Sequence, residues 1–357
     1  MKKVRVAIAG ASGYAGAELV RLAALHPHFD LHAVTSEKSA GVPVATIFPS
    51  LAGLVPLSFQ ALSPEALAEQ ADAVFLALPH TKSLEPVSAC LKTGKLVVDL
   101  SADYRLKDPA VYETWYKTPH DQHGLLKQAV YGLPEFHREA IKQAKLVASP
   151  GCYPTAAIIQ LAPLVAKGLI DPDTIVIDAK SGISGAGRSP ALPYHFPEAH
   201  ESIEAYKIGQ HRHIPEIEQE LSLLASQHGK AKGAVKHLTV AFTPHLVPMN
   251  RGILSTAYCR LVEPMPLDQL RALYREFYKG ERFIRLCDGE ASANPRHVKG
   301  SNFCDVSVFV DARAGWVVTV AALDNLVKGA AGQAIQAMNL MLGFPEDMGI
   351  SGPGVYP

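Results

Sequence analysis

The chain has 357 residues, too many for one ordinary hydrophobic core, and this length predicts two domains. Apolar residues make up 48% and charged residues 19%, as in folded globular proteins, and the 34 basic and 34 acidic residues balance. This balance excludes a general attraction to nucleic acid or to an anionic membrane. No apolar run has the length of a membrane span or a signal peptide, and the five cysteines form no CxxC pair. We therefore expect a cytoplasmic protein without disulfides.

The N-terminal segment predicts a dinucleotide-binding unit. Residues 4–10 read as a buried parallel strand, and Gly10, Gly13 and Gly16 follow it in a GxxGxxG spacing that leads into a helix. Glycines allow a tight turn close to a pyrophosphate, and the helix start presents free N–H groups to the anion. Ser12 adds a hydroxyl donor to this turn. A purely structural turn has the same glycines, so the strand and helix on either side carry the prediction.

The end of the second strand (31–36) indicates which dinucleotide binds. NAD sites place an acidic residue about 20 residues after the glycines, where it contacts the ribose. Here Thr35, Ser36 and Lys38 occupy that region, and two hydroxyls with an ammonium suit a 2′-phosphate. Glu37 is the one residue that favours NAD. The pattern predicts NADP(H) as the cofactor.

Two further buried strands, in 71–80 and 95–106, end in polar residues. Ligands of open α/β sheets bind beyond the carboxyl ends of the strands, so these residues are candidates for the site. Arg105 is expected to bind a substrate carboxylate or phosphate, whereas Asp103 has a surface ion pair as its alternative. The candidates at these ends are Pro79, His80, Ser101, Asp103 and Arg105.

Cys152 is the candidate nucleophile. It precedes Pro154 and a run with helical spacing, so the thiol lies at a helix start, where the helix dipole stabilises a thiolate. Pro163 predicts a kink or an interruption of that helix. The other cysteines lack this setting and are expected to be structural; they are Cys90, Cys259, Cys287 and Cys304.

A thiol nucleophile needs an acid or base nearby, and the segment 209–221 offers two histidines. His213 is the preferred partner and His211 the alternative, with Glu216 spaced to orient the ring of His213. Binding of a metal by this HxH pair is less favoured because no further ligands have suitable spacing.

Two glycine-rich segments are candidates for contact with the cofactor or substrate. The segment 178–188 predicts a polar loop that ends in Arg188 and suits a phosphate or nicotinamide, with a solvent-exposed linker as the alternative. The segment 324–344 predicts a C-terminal helix, and the small residues 329–332 in its first turns allow close approach of another helix or of the cofactor.

Taken together, these segments resemble the N-acetyl-gamma-glutamyl-phosphate reductases, NADPH-dependent enzymes of arginine biosynthesis. The resemblance covers nearly the whole chain, and its motifs are GASGYAGAELVRL, VVDLSADYRL, YGLPE, SPGCYPTA, KSGISGAGR, HRHIPEIEQEL, FTPHLVPMNRGI and DNLVKGAAGQA. It implies an α/β fold with a Rossmann NADP-binding domain, residues 1–150 completed by 322–357. A catalytic and oligomerisation α+β domain of the aspartate-semialdehyde and glyceraldehyde-phosphate dehydrogenase type would occupy 151–321.

The resemblance also implies roles for individual residues. Cys152 would attack an acyl phosphate to form a thioester, with His213 or His211 as the acid or base. Asn325 would lie near the nicotinamide. The cofactor set implied is Gly10, Ser12, Gly13, Tyr14, Ala15, Gly16, Thr35, Ser36, Lys38, Pro79, Ser184, Gly185 and Asn325. The substrate set is Ser101, Arg105, Arg188 and Glu216. A homo-oligomer, a tetramer by resemblance, is expected.

Three other functions are compatible with parts of the pattern. A reductase of a lysine-pathway aminoadipyl phosphate differs only in its substrate pocket. A Cys–His hydrolase or acyltransferase without redox chemistry would not need the glycine turn at 10–16. A non-catalytic dinucleotide sensor would not need Cys152 and the histidine segment. The acyl phosphate reductase explains all of these features together.

Overall fold

The computed structural model describes residues 3–228, 237–289 and 292–356. These residues divide into two compact units, one of Met1–Gly151 with Ala330–Gly352, the other of Cys152–Gly329 with Pro353–Pro357. Of the predicted C-terminal part, 322–357, the first unit includes Ala330–Gly352, and the residues on either side of it fall in the second unit.

The strands and helices below are numbered in chain order. The strands are β1 (Val4–Ala9), β2 (Phe29–Val34), β3 (Ala73–Leu76), β4 (Leu96–Asp99), β5 (Val130–Tyr131), β6 (Leu146–Ala148), β7 (Val176–Gly182), β8 (Glu204–Ala205), β9 (Ala241–Val247), β10 (Ile253–Cys259), β11 (Ile284–Leu286), β12 (Cys304–Asp311) and β13 (Trp316–Leu323). The helices are α1 (Tyr14–Leu25), α2 (Val44–Ile47), α3 (Pro64–Glu69), α4 (Leu84–Lys92), α5 (Pro109–Tyr116), α6 (His123–Gln128), α7 (Pro134–Gln143), α8 (Cys152–Ala166), α9 (Phe196–Ala199), α10 (Ile214–His228), α11 (Leu267–Phe277), α12 (Pro295–Val298) and α13 (Gly332–Met341).

The first unit is built on a parallel sheet with the strand order β2-β1-β3-β4-β6-β5 among its described residues. Strands such as AVFL in β3 are buried along their whole length, as expected for a parallel sheet covered on both faces. The chain runs from β1 outward to β2 and then crosses back to β3 on the other side of β1. The sheet therefore has its topological switch point between β1 and β3, where such folds bind ligands.

The register of this sheet aligns the carboxyl ends of four strands. Ala9 pairs with Leu76, Leu76 with Asp99, and Asp99 with Ala148. The residues that follow these strands therefore form one continuous edge.

The C-terminal helix α13 belongs to the same unit, in which it packs against α1, α7 and β4. Its residues from Gly332 to Leu340 are all buried. Arg138 forms an ion pair with Glu346 at 3.2 Å just beyond this helix. Helix α13, near the end of the chain, is thus part of the core of the first unit.

The second unit contains a mixed sheet with the order β11-β12-β13-β10-β7-β9-β8 in its described part. Helix α8 lies against β10 and β13, and α10 packs on α8. Every residue of α8 after Cys152 is buried, which explains why the run from 153 to 166 is apolar on all sides.

Pro163 does not interrupt α8, contrary to the expectation from the sequence. Proline removes the N–H that would bond to the carbonyl four residues earlier, which leaves Ile159 O without its helical partner. The Tyr278 hydroxyl donates to that oxygen, and the Tyr274 hydroxyl donates to Gln160 O at 2.6 Å. The Tyr278 hydroxyl thus takes the place of the missing N–H, the Tyr274 hydroxyl bonds the next carbonyl, and the helix continues to Ala166.

Within the described ranges, every helix is too short or too polar to cross a membrane.

Candidate active site

The three glycines of the first turn have different structural requirements. Gly10 has φ +72°, and a β-carbon there would lie 2.3 Å from Ala77 O. A β-carbon at Gly16 would lie 2.3 Å from Gly10 O, because α1 packs directly on the turn. At Gly13 the nearest atom to a β-carbon is 3.6 Å away. Gly13 therefore borders open space, as a position approached by a pyrophosphate requires, and the turn fits a dinucleotide.

The predicted 2′-phosphate residues lie beside this turn. Ser12 Oγ and Ser36 Oγ are 2.8 Å apart although 24 residues separate them. Ala11 N–H donates to Thr35 O at 2.9 Å, which holds the end of β2 against the turn. Lys38 is exposed in a short 3-10 turn, Glu37–Ser39. Hydroxyls and an ammonium thus share one edge, which fits a phosphorylated ribose.

Tyr14 and Ala15 form the first turn of α1, directly after Gly13. Tyr14 is exposed, and Pro79 is exposed in the segment after β3. All three lie at the carboxyl edge of the parallel sheet, where the cofactor residues were predicted.

Ser101 and Arg105 lie inside the first unit. The Ser101 hydroxyl donates to Asp99 Oδ2 at 2.7 Å and accepts from Asp103 N–H at 3.1 Å. Arg105 Nε donates to Ser149 O at 2.7 Å, and Nη2 donates to Leu100 O at 2.8 Å. Only 4% of Arg105 is exposed. In this structure Arg105 therefore connects the ends of β4 and β6.

Asp99 and Asp103 form a pair of buried carboxyl groups in the same region. Burial, together with the nearby Asp103 carboxylate, raises the pKa of Asp99 to about 6. Asp103 accepts hydrogen bonds from Thr81 N–H, Ser83 N–H and the Tyr112 hydroxyl. The alternative of a surface ion pair for Asp103 is wrong, because the residue is fully buried and these three donors are neutral.

Cys152 is the first residue of α8, as the position of Pro154 predicts. It is partly exposed, whereas Cys90, Cys259 and Cys304 are buried. Burial raises the pKa of Cys90 to about 11 and that of Cys259 to about 12. Burial and the charge of Asp305 also raise the pKa of Cys287. These three thiols stay protonated near neutral pH, and Cys304 is buried in β12. Cys152 is instead partly exposed at a helix start, a setting suited to a thiolate.

The two predicted histidines pack against Tyr153, the residue after the cysteine. The ring centroid of His211 lies 5.7 Å from that of Tyr153, and the ring centroid of His213 lies 5.9 Å from it. Tyr206 and Phe242 also contact the His211 ring. The second unit by itself therefore brings the histidine segment to the N-terminal end of α8.

His211 is neutral near physiological pH. Burial, followed by the charges of Lys207 and Arg212, lowers its pKa to about 4. Its Nδ1 accepts the backbone N–H of His213 at 3.2 Å, so the neutral ring carries its proton on Nε2. His211 thus supports the backbone of His213 and can donate one hydrogen bond from Nε2.

Glu216 lies in the first turn of α10, three residues after His213, and is almost fully buried. Its predicted role in orienting the His213 ring stays a prediction.

Arg188, the last residue of the glycine-rich segment, is exposed.

The segment 178–188 is only partly a loop. Strand β7 extends through Gly182, and a 3-10 turn, Ile183–Ala186, follows it. The strand continues because Gly182 packs against the main chain of Asn250 and Arg251, where a β-carbon would lie 2.8 Å away. The flexible part is therefore shorter than the sequence suggested.

Asn325 meets this turn across a long sequence separation. Its Nδ2 donates to Ser184 Oγ at 2.9 Å, and its Oδ1 accepts Gly252 N–H at 2.7 Å. A β-carbon on Gly185 would lie 3.6 Å from the same Nδ2. Three residues predicted separately for the cofactor, Ser184, Gly185 and Asn325, are thus neighbours in the second unit.

Asp324, which the sequence patterns did not identify, orders the turn that carries Asn325. Its side chain is fully buried, its Oδ1 forms an ion pair with Arg251 at 3.1 Å, and its Oδ2 accepts Gly300 N–H at 2.7 Å. Oδ1 also accepts the N–H groups of Leu326 and Val327. The sequence signal that could have identified Asp324 is an Asx pattern before a helix, Asp followed by Asn-Leu-Val.

Among the described residues, no group of three His, Cys, Asp or Glu side chains is arranged to hold a metal ion.

Comparison with known proteins agrees with this architecture. Residues 5–144 match the family model of the semialdehyde dehydrogenase NAD binding domain, and residues 152–325 match that of the semialdehyde dehydrogenase dimerisation domain. The N-acetyl-gamma-glutamyl-phosphate reductase of Geobacter metallireducens is 52% identical over 99% of this chain and 100% of its own length. That of Geotalea daltonii is 53% identical with the same coverage. The chain belongs to the N-acetyl-gamma-glutamyl-phosphate reductase family.

Solved structures support the fold. Aspartate semialdehyde dehydrogenase II of Vibrio cholerae, solved with ASA, matches with a TM-score of 0.68 at 17% identity, over 96% of this chain and 99% of that one. The enzyme of Candida albicans, solved with NADP, matches with a TM-score of 0.65 at 18% identity and the same coverage. The α/β fold expected from the sequence is confirmed.

Proposed function

We propose that this protein reduces N-acetyl-gamma-glutamyl phosphate to N-acetyl-glutamate 5-semialdehyde with NADPH and releases phosphate, a step of arginine biosynthesis. The identity of about half of all residues over 99% of the chain carries this proposal. The chain also has the parts that this chemistry needs, namely a dinucleotide turn and a partly exposed cysteine at a helix start.

The reaction begins at Cys152. Its thiolate attacks the acyl carbon, the carbon–oxygen bond to phosphate breaks, and a thioester forms on the sulfur. When bound, NADPH supplies a hydride for reduction of the thioester carbonyl. The resulting thiohemiacetal on Cys152 loses its hydroxyl proton and breaks its carbon–sulfur bond, which releases the aldehyde and restores the thiolate. Backbone N–H groups at the start of α8 stabilise the oxyanions of both steps.

His213 is proposed as the acid and base that serves Cys152. General acid–base catalysis of this type contributes about 10²–10⁴-fold to a rate. His211 supports this role in two ways, since its Nδ1 holds the His213 backbone and its Nε2–H remains a neutral donor.

The proposed cofactor residues form two groups. In the first unit, Gly13 leaves room for the pyrophosphate, and Ser12, Ser36 and Lys38 contact the 2′-phosphate. In the second unit, Ser184, Gly185 and Asn325 contact the nicotinamide ribose or ring. For the substrate anions, Arg188 is the exposed candidate, whereas Arg105, Ser101 and Glu216 act from buried positions.

The assay that tests the function runs the reaction in reverse. Purified protein is mixed with N-acetylglutamate semialdehyde, phosphate and NADP⁺, and the absorbance of NADPH is followed. We expect reduction that depends on both phosphate and semialdehyde. A clean, folded preparation without such activity contradicts the proposal. Equal catalytic efficiency with NADP⁺ and NAD⁺ would show that Ser36 and Lys38 do not recognise the 2′-phosphate.

We also propose that the protein is a cytoplasmic homotetramer. The second unit matches a dimerisation domain, which supports assembly of more than one copy. Within 192–208 several large apolar side chains are exposed, namely Leu192, Phe196, Ile203 and Ile208. All five cysteines are free, which suits a reducing compartment. Light scattering after size-exclusion chromatography gives the mass, and a dimer or monomer would contradict the tetramer.

A further inference from the structure

One strained residue in the first unit lies in the loop after β3, residues 77–83, called here the β3 loop. Thr81 has φ +70°, in the left-handed region that β-branched residues rarely adopt. Such a conformation persists only where the surroundings hold it, and it is often found at functional sites. The contacts of Thr81 therefore identify what holds the loop.

Asp103 holds the backbone on both sides of the strained position. Thr81 N–H donates to Asp103 Oδ1 at 2.7 Å, and Ser83 N–H donates to Oδ2 at 2.9 Å. The Tyr112 hydroxyl donates to Oδ1 at 2.9 Å. Asp103 is fully buried, and all three bonds use its side chain as an acceptor, which is the bonding of a carboxylate.

The segment around Asp103 also contacts the β3 loop at His80 and the first residue of α4 just after it. Ala102 N–H donates to His80 Nδ1 at 3.1 Å, and the Tyr104 hydroxyl donates to Leu84 O at 3.2 Å. His120 Nε2 donates to the Asp103 carbonyl at 2.6 Å, so residues beyond α5 support the same segment. Residues 102–104 thus clamp the β3 loop from the neighbouring strand end.

The β3 loop lies at the switch point of the parallel sheet. Gly10 approaches its first residue so closely that a β-carbon would lie 2.3 Å from Ala77 O. The glycine turn after β1 and the β3 loop therefore share the crevice in which such sheets bind dinucleotides. The conformation of the β3 loop therefore sets the shape of one wall of that crevice.

We propose that Asp103 is a positioning residue that keeps the β3 loop, with Thr81 in the left-handed conformation, in the shape that binds NADPH. The proposal rests on the cofactor assignment made above. Asp103 acts through the Thr81 and Ser83 amides and does not itself touch the cofactor.

The central test is Asp103→Asn, with NADPH binding measured directly by fluorescence titration. An amide has one acceptor oxygen, so its NH₂ must face at least one of the two backbone N–H groups, and a hydrogen bond to a charged group is lost. We expect the Kd for NADPH to rise about tenfold or more. The matched control is Asp108→Asn, which changes the cap of α5 five residues away, where asparagine caps as well as aspartate. Its Kd should stay at the wild-type value.

A double mutant tests the role of backbone strain. Thr81→Gly removes the cost of the positive φ, so Asp103→Asn/Thr81→Gly should bind NADPH at least threefold more tightly than Asp103→Asn alone. Thr81→Gly by itself should weaken binding less than Asp103→Asn does. An equal or larger loss in Thr81→Gly would indicate that the threonine side chain contacts the cofactor, which overturns the proposal. An unchanged Kd in Asp103→Asn overturns it as well.

A measurement on the wild-type protein covers the case in which Asp103→Asn does not fold. Hydrogen exchange of the peptide 77–84 should show protection of the Thr81 and Ser83 amides without NADPH, because Asp103 accepts both. Free exchange of these amides contradicts the proposal. The proposed function fails separately: a protein that binds NADPH but does not reduce the acyl phosphate leaves the role of Asp103 intact.

Discussion

Gly329 lies directly against Cys152: a β-carbon built on Gly329 would be 2.8 Å from the Cys152 β-carbon and 3.3 Å from its α-carbon. Gly329 belongs to the π-helical turn Val327–Ala331, and its N–H donates to Asp324 O at 2.9 Å. Because the backbone is held by this hydrogen bond and lies against Cys152, there is no room for a side chain at position 329. The glycine therefore sets the position of the residue proposed as nucleophile.

Gly329→Ala should move Cys152 and lower kcat by more than about tenfold, since reacting atoms displaced by about 1 Å cost up to ~10²-fold. The measurements are kcat and the rate of thiol alkylation. Gly124→Ala is the matched control, because Gly124 also lies in a helix and no atom comes within 4 Å of its β-carbon position. Full activity in Gly329→Ala would show that the contact does not matter.

Cys152→Ser should abolish turnover while NADPH binding persists, because a hydroxyl near neutral pH is not a competent replacement for the thiolate. Cys287→Ser is the control, since Cys287 is also partly exposed but has a raised pKa. Steady-state rates and fluorescence titration of NADPH separate the two effects. Retention of more than a few per cent of activity in Cys152→Ser would reassign the nucleophile.

Gly13→Ala should weaken NADPH binding, whereas Gly16→Ala should lower the stability of the fold. At Gly16 the added methyl group meets Gly10 O at 2.3 Å, so the variant should lose about 1–3 kcal/mol of stability or fail to fold. Gly13 has φ −77°, which alanine adopts freely, and its β-carbon meets nothing closer than 3.6 Å. Gly13→Ala should keep its melting temperature and bind NADPH more weakly. Equal melting temperatures for the two variants would contradict this division of roles.

His26 should make the protein less stable in acid. Its Nε2 donates to Asn339 Oδ1 at 3.0 Å, and its Nδ1 accepts His28 N–H at 3.2 Å, so the ring is neutral. Burial lowers its pKa from 6.5 to about 4, although the bond to Asn339 opposes the shift. The unfolded chain therefore binds a proton that the folded one does not, and stability falls as the pH drops from 6.5 toward 4.

His26→Gln tests this coupling. Between pH 6.5 and 1.5 units below it, the histidine accounts for a loss of about 1.5 kcal/mol, which the variant should not show. The measurement is the free energy of unfolding in urea at several pH values. His32→Gln, at an exposed position of β2, is the control and should keep the wild-type slope. An unchanged slope in His26→Gln would mean that His26 is not the group responsible.

The local patterns of the sequence predicted the elements that carry the chemistry. Short-range rules decide where a helix or turn begins, so the strand–glycine–helix unit at 4–25 and the helix start at Cys152 could be read directly. The same rules failed at Pro163, because the tyrosines that compensate for its missing N–H come from residues more than 100 positions away. They also predicted that β7 ends too early, because the end of this strand depends on packing against Asn250.

Which residues are chemically suited to the reaction can be read from the chain alone, since the properties of a thiol, an imidazole or a glycine belong to the residue and its neighbours. What those residues contact depends on how distant parts of the chain pack together. Asn325 meets Ser184, Gly329 meets Cys152, and Arg105 donates to the Ser149 carbonyl. Such contacts join residues 44 to 177 positions apart, and no periodicity in the chain encodes a pairing that arises when separate strand ends and turns pack together.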